Sequence, residues 1–482
     1  MDFINEYINK ITELGFDEIG DIKNLDHIPT KDGGKLGLGM ECLDRDLWDW
    51  KRAFPLIKNL GLKFVRLQTG WQKTEKEEGI YDFFWLDEIV DSLLKENIKP
   101  LLSLSYGNKI YCKNPEKYPN LENGGLGHIP VENERERTAW QNYVTALLNH
   151  FKGRVKFYEI WNEPEVSSFC VSSLPWNEAY MELVKMTCPI IRTICPDAKI
   201  LSCTALIVSA EILVDMGIGE WVDIHAYHNY RPWPELKGGE QKNKILHMKE
   251  KAPNLEFWRD EAGYPSYNDP KSRGALSGIE VSEIKQAKFV MRHLTCDMKN
   301  DQIEKTFYFH AYDFEHFSHT VRYHYGLIRH EDLSKKPSYD AIQVLSHLYD
   351  EAKFSNKYQL SFAESPETEQ KNKELLQLEY LCFEKNEEVF FAYYLPIEIC
   401  NDSKVFKAVL SMPPVKNIKN PVILDPLTRK IYSVSSLSEF SAPVTDYPMF
   451  IADAKSISTI ADIYVQKELE TKENKIEQFF EE

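Results

Sequence analysis

The chain has 482 residues, 43% of them hydrophobic and 12% aromatic, with a formal net charge of −17. That length supports a large core and two domains. The negative balance, with Lys and Arg concentrated nowhere, excludes a general nucleic-acid binder, because neutralising phosphates takes clustered cations.

No apolar run approaches the roughly 18 residues of a membrane helix, so no membrane partner is expected. The opening MDFINEYINK has acids within its first six residues and no apolar segment, which reads as no signal peptide. Nine cysteines, an odd set without a C-x-x-C pair, fit reduced thiols in a cytoplasmic protein. Ligand spacing for a structural metal is missing, and no metal or cofactor is expected. A homo-oligomer is left open.

In chain order, residues 1–34 read as one amphipathic helix, NEYINKITELGF, and a polar linker. From 35 to 350 short apolar runs alternate with longer amphipathic stretches, the pattern of β/α units around a parallel sheet. Eight strands are predicted, at 35–42, 62–68, 99–106, 155–161, 198–206, 221–227, 255–261 and 305–312. Stretches such as WLDEIVDSLLKENI and RTAWQNYVTALLNHFKG between them are apolar at helical spacing. Eight such units match a (β/α)8 TIM barrel. The competing doubly wound sheet lacks a G-x-G-x-x-G or P-loop signature after its first strand. Residues 351–455 change to short alternating runs, read as a smaller C-terminal antiparallel β-sandwich, and 456–482 as a charged tail.

A barrel of this kind keeps its chemistry at the C-terminal ends of its strands. Those ends carry Arg66 and Gln68, Asn162 and Glu163, His225, His228 and Tyr230, Asp260 and Glu261, then His310 and Tyr312. Glu163 and Glu261, from strands four and seven, should converge across the mouth. A convergent carboxyl pair is what glycosidic bond hydrolysis requires, one acid protonating the leaving oxygen while the other attacks carbon or activates water. The stretch from 310 to 330 holds five histidines, at 310, 316, 319, 324 and 330, without the H-E-x-x-H frame of a zinc protease. It reads as a loop whose histidines reach sugar hydroxyls or solvent. Aromatics at strand ends or in loops, among them Trp71, Tyr106 and Tyr267, are candidates for stacking on sugar faces.

Trp161-Asn162-Glu163-Pro164 at strand four, His228-x-Tyr230 at strand six, and Trp258, Glu261 and Gly263 at strand seven together resemble clan A of the glycoside hydrolases. The local texture is most similar to family 39 and its relatives, the β-xylosidase and α-L-iduronidase group. The resemblance implies Glu163 as general acid/base and Glu261 as nucleophile. It implies that Asn162 bonds the sugar 2-hydroxyl, Arg66 keeps the nucleophile ionised, Tyr230 hydrogen-bonds it and His228 lines the site. The sequence departs from the clan after strand eight, where His310 and Tyr312 stand in place of a frequent tryptophan, and at Asp260, where a small residue is common before the nucleophile. The expected activity is a retaining β-glycosidase acting on short oligosaccharides or glycosides of the β-xyloside, β-glucoside or β-galactoside type, with a carbohydrate as substrate. An endo-acting hydrolase or transglycosylase with the same glutamates, and a non-catalytic carbohydrate-binding protein, stay open as alternatives.

Overall fold

A computed structural model describes residues 2–118, 121–228, 230–231, 233–235, 238–266, 281–315, 322–366, 377–415, 417–434 and 438–464. Tyr267, His316, His319 and the end of the chain from 465 lie outside the described residues.

Eight parallel strands close a barrel in sequence order: β1 (Leu36–Gly39), β2 (Phe64–Gln68), β3 (Lys99–Leu104), β4 (Phe157–Ile160), β5 (Lys199–Thr204), β6 (Ile224–Tyr227), β7 (Glu256–Ala262) and β8 (Thr306–Tyr308). Each coincides with a predicted strand. β1 pairs with β8 through Leu36 and Thr306 and so closes the ring. These strands are buried on both faces, which is why they read as near-continuous apolar runs. Outside, amphipathic helices cover them, as Trp140, Tyr143 and Leu147 do from the helix Glu134–Phe151, whose N-cap Asn133 accepts the Glu136 amide.

Inside, the barrel is layered. Phe64, Leu101, Leu201, Ile224, Trp258 and Phe307 plug its N-terminal half as a separate apolar cluster. One step further along the strands inward positions become polar: Arg66, Ser103, Glu159 and Asp260 are all buried. A polar layer at this depth is costly unless its members satisfy one another, and it forms the floor of the mouth.

The C-terminal region is antiparallel. One sheet has eight strands in the order Lys353–Ser355, Glu379–Lys385, Glu388–Tyr394, Met449–Asp453, Pro421–Asp425, Lys430–Ser433, Glu18–Ile22 and Ala461–Ile463. The other has three: Ser361–Glu364, Val405–Ser411 and Glu439–Thr445. The structure differs here from the sequence reading of residues 1–34 as helix plus linker. The linker supplies the strand Glu18–Ile22, pairing with Lys430–Ser433 on one side and Ala461–Ile463 on the other. Gly20 permits that pairing, since a Cβ there would stand 2.4 Å from the Asp462 carbonyl oxygen. The barrel helix Glu283–Lys299 docks the sheets, with Lys288 on Asp446 at 2.9 Å and Arg292 donating to the Ile397 carbonyl at 2.7 Å.

Candidate active site

The mouth is organised around one guanidinium. Arg66 projects from β2 into the barrel and is fully buried. Its Nη1 donates to Glu261 Oε2 at 2.8 Å and to Glu41 Oε1 at 3.1 Å. Nη2 donates to Glu159 Oε1 at 2.6 Å and to Asn162 Oδ1 at 2.7 Å. Nε meets Glu159 Oε2 at 3.2 Å and Asp260 Oδ2 at 3.3 Å. Four carboxylates thus converge on one cation, with Glu163 as a fifth acid nearby.

Chain geometry explains how these side chains meet. Beyond β4 the backbone carries Trp161 at φ 67° and Glu163 at φ 45°, left-handed conformations that side chains usually avoid. Trp161 fixes the turn: it is fully buried, and its Nε1 donates to the Phe169 carbonyl at 2.8 Å. Asn162 and Glu163 are thereby folded back over the barrel axis. On β7, pairing with β8 slips by one residue between Arg259–Thr306 and Ala262–Tyr308, a bulge. A regular strand would send Asp260 and Glu261 to opposite faces. The bulge lets consecutive carboxylates both reach Arg66.

Exposure separates the five acids. Glu41, Glu159 and Asp260 have side chains 0 to 1% exposed, whereas Glu163 and Glu261 keep 15% and 12%. Glu261 also accepts from the Tyr230 hydroxyl at 2.7 Å. Glu163 Oε1 lies 2.6 Å from His228 Nδ1, and the same nitrogen is 3.7 Å from Glu261 Oε1. One oxygen of each glutamate and a nitrogen of His228 all lie within 4.8 Å of one another.

So many acids cannot all be charged in so little space. Burial holds the Glu159 carboxyl well above the usual range against the pull of Arg66, and Asp260 adds to the rise. Asp260 is held below its usual range, its burial outweighed by Arg66, Glu159 and His228. Burial likewise pushes Glu41 up to about 8, offset in part by Arg66 and reinforced by Glu261. Glu163 is raised by burial and by Glu261, with His228 working the other way.

Not every predicted residue reaches this centre. Trp71 is fully buried, stacked between Tyr111 and Tyr143 at 5.3 and 5.5 Å, with Nε1 donating to Glu75 at 2.5 Å. Tyr106 is 1% exposed, stacked on Phe169, with its hydroxyl accepting from Gln68 Nε2 at 3.0 Å. Neither ring has a free face for a sugar. His225 is held between Ser202 and Thr204 at 2.7 and 3.1 Å, and burial brings it down to about 3. His310 bridges backbone groups of Tyr312 and Glu41, and burial brings it down to about 4. Tyr312 stacks on Trp48 at 5.4 Å and donates to the His330 carbonyl at 3.1 Å. His310 and Tyr312 therefore brace the wall beside Glu41. Sequence reasoning passed over Glu41 and Glu159. Each is an acid within a predicted apolar strand, and that was the available signal.

Residues 36–207 match the model of the glycosyl hydrolases family 39. Over 142 residues the chain is 29% identical to a beta-galactosidase, BgaA, of Clostridium cellulovorans, which covers 27% of this chain and 21% of that protein. Over 185 residues it is 24% identical to a beta-xylosidase of Geobacillus stearothermophilus, covering 35% and 34%. These alignments span about a fifth to a third of the curated relatives' length. A family 39 glycoside hydrolase from Bacteroides cellulosilyticus WH2 shares the fold with a TM-score of 0.65 at 17% identity, over 90% of this chain and 82% of that one. Over residues 36–207 the chain is thus similar to the family 39 glycosyl hydrolases, and it shares the fold of a member of that family. The matched segment contains Arg66, Asn162 and Glu163 but ends before His228, Tyr230 and Glu261, whose placement at the site rests on the geometry.

Proposed function

We propose that the protein is a retaining β-glycosidase acting on short β-linked glycosides, with Glu261 as nucleophile and Glu163 as general acid/base. The observation that carries this reading is the exposure pattern. Of five acids at the mouth only Glu163 and Glu261 reach solvent, and an oxygen of each lies within 4.8 Å of the other. Retaining enzymes hold their carboxyl groups at about 5 to 5.5 Å, and inverting ones at about 6.5 to 9.5 Å to admit a water.

The surroundings suit the two roles. Arg66 and Tyr230 each donate to a different oxygen of Glu261, which favours the carboxylate an attack on carbon needs. Burial and the Glu261 charge favour a proton on Glu163. In the first step a Glu261 oxygen bonds to the anomeric carbon, the glycosidic C–O bond breaks, and the leaving oxygen takes the Glu163 proton. The ester neutralises Glu261, so Glu163 can then accept a proton from water as that water attacks the same carbon and frees Glu261. Because Asn162 Oδ1 accepts from Arg66, its amide N–H groups point away and can donate to the sugar 2-hydroxyl.

Names of the relatives direct the choice of sugar toward β-xylosides and β-galactosides. A reducing, cytoplasmic setting is supported by nine cysteines that are all free. Among the described residues no helix is long and apolar enough to cross a membrane. The test is a panel of aryl β-glycosides (xyloside, galactoside, glucoside, fucoside, arabinoside) assayed with wild type and Glu261→Gln. Turnover of at least one substrate, lost in the variant, is expected; undiminished turnover by Glu261→Gln would overturn the assignment.

A further inference from the structure

Asp260 occupies a place where nothing in the double-displacement chemistry calls for an acid. Two residues beyond Trp258, which faces the barrel interior, it points under the mouth, fully buried, while the bulge brings Glu261 in beside it. There it touches two cations or potential cations and no solvent: Arg66 Nε at 3.3 Å and His228 Nε2 at 3.4 Å. Arg66 is already committed to Glu41, Glu159, Asn162 and Glu261. A buried carboxylate left with a fraction of one guanidinium is poorly compensated. Glu159, hydrogen-bonded to it, and His228 supply the remaining compensation.

His228 is itself fully buried and has two occupied edges. Nδ1 faces the glutamates, Glu163 at 2.6 Å and Glu261 at 3.7 Å. Nε2 faces Cys203 Sγ at 3.2 Å and Asp260 at 3.4 Å. The charged and titratable groups around the ring are Arg66 on β2, Glu159 and Glu163 on and after β4, Cys203 on β5, His225 and Tyr230 on and after β6, and Asp260 and Glu261 on β7. Among the described carboxylates in contact with the ring, Asp260 is the one on the Nε2 edge. A straight path thus runs from Asp260 through the imidazole to the oxygen of Glu163.

We propose that Asp260 is a positioning residue for the acid/base: it anchors His228 from below and, through the ring, strengthens the hold of the Glu163–His228 pair on its shared proton. The proposal rests on Glu163 being the acid/base. Its electrostatic sense is fixed by sign alone. A negative charge on the far side of the ring favours the proton wherever it sits along the 2.6 Å contact, and the pair titrates as a unit. Consistent with this, burial opposes charge on His228, yet the Cys203 sulfur, Glu261, Glu163 and Asp260 override it and hold the imidazole well above its usual range. Burial keeps Cys203 a thiol, which leaves the carboxylates to do this. The Glu163–His228 pair therefore keeps its shared proton to higher pH than it would without the Asp260 charge, whichever partner carries that proton.

The test uses the aryl β-glycoside that wild type turns over fastest. Asp260→Asn keeps the volume and removes the charge, so the basic limb of the kcat/KM profile should move toward acid by about one pH unit, with about tenfold less activity on that limb. In Glu163→Ala, rescued by azide on a dinitrophenyl glycoside, adding Asp260→Asn should change the rate less than about twofold, since Asp260 acts through Glu163. An unmoved basic limb, or an equal loss in both backgrounds, overturns the proposal while leaving the acid/base assignment intact. Absence of azide rescue in Glu163→Ala itself overturns the acid/base assignment and the proposal with it. Should Asp260→Asn not fold, 15N NMR of wild type decides: a proton on His228 Nε2, the nitrogen facing Asp260, at pH 7.5 supports the proposal, and an unprotonated Nε2 overturns it.

Discussion

Arg66 Nη1 lies 2.8 Å from Glu261 Oε2 and 3.1 Å from Glu41 Oε1, so one guanidinium nitrogen joins a carboxylate that reaches solvent to a buried one. The same residue holds Glu159 through two bonds. Replacing it leaves several buried acids without a cation. Arg66→Gln should lower unfolding free energy by about 3 to 5 kcal/mol, the usual cost of breaking a buried ion pair from one side. Urea denaturation reads that loss, and a stability unchanged from wild type would show that the acids are neutral without Arg66.

Tyr230 provides a gentler probe of the same carboxylate. Its hydroxyl donates to Glu261 Oε1 at 2.7 Å, and the ring packs against Phe309 and Tyr325. Tyr230→Phe keeps the ring and removes one hydrogen bond to a charged acceptor, worth about 1.5 to 3 kcal/mol. Steady-state kinetics should show kcat/KM reduced about tenfold to a hundredfold at an unchanged denaturation midpoint.

The two structural histidines predict how stability follows pH. Burial brings His225 down to about 3 and His310 down to about 4 in the folded protein. An unfolded histidine titrates near 6.5. Between about 4 and 6.5 the unfolded chain therefore binds protons that the folded chain refuses, and stability falls as pH falls through that window. Above about 6.5 both forms are neutral and the contribution is level. Comparing wild type with His225→Gln at pH 7 and pH 4 should show a shallower loss in the variant; equal losses would mean that His225 is protonated in the fold.

Trp71 separates packing from binding. Sandwiched by Tyr111 and Tyr143 and bonded to Glu75, it exposes no ring atom. Trp71→Phe should lower the melting temperature, with a stability cost of about 1 to 3 kcal/mol, and leave KM for aryl glycosides within about twofold. A KM raised tenfold with no thermal effect would return Trp71 to the sugar site.

Much of the site was legible because strand ends are easy to place in a β/α repeat. Arg66, Asn162, Glu163, His228, Tyr230 and Glu261 all stand within a few residues of a strand terminus, and direction along a barrel strand alone assigns them to the mouth. Depth was not legible. Trp71 and Tyr106 also follow strands, yet which ring a helix or loop covers depends on tertiary packing that no local pattern carries. Glu41 and Glu159 were hidden for the opposite reason: inside an apolar run an acid looks like an exception, and only Arg66, reaching into the barrel from β2, explains it. Bringing Asp260 and Glu261 to the mouth together required the bulge, because regular alternation keeps Asp260 on the inward face of Trp258 and sends Glu261 to the other. The strand Glu18–Ile22 is short, with Gly20 and two acids among its five residues, and its partners lie some 410 and 440 positions away. Its pairing is set by the sheet it completes.

The central assignment, Glu261 attacking the anomeric carbon while Glu163 handles the proton, is tested most directly by trapping the intermediate. Wild type is incubated with an activated 2-deoxy-2-fluoro aryl β-glycoside of the preferred sugar, and the labelled peptide is sequenced by mass spectrometry. A single fluoroglycosyl label on Glu261, absent from Glu261→Gln, is the expected result. A label on another residue, or turnover of the parent glycoside to a product of inverted anomeric configuration, would contradict it.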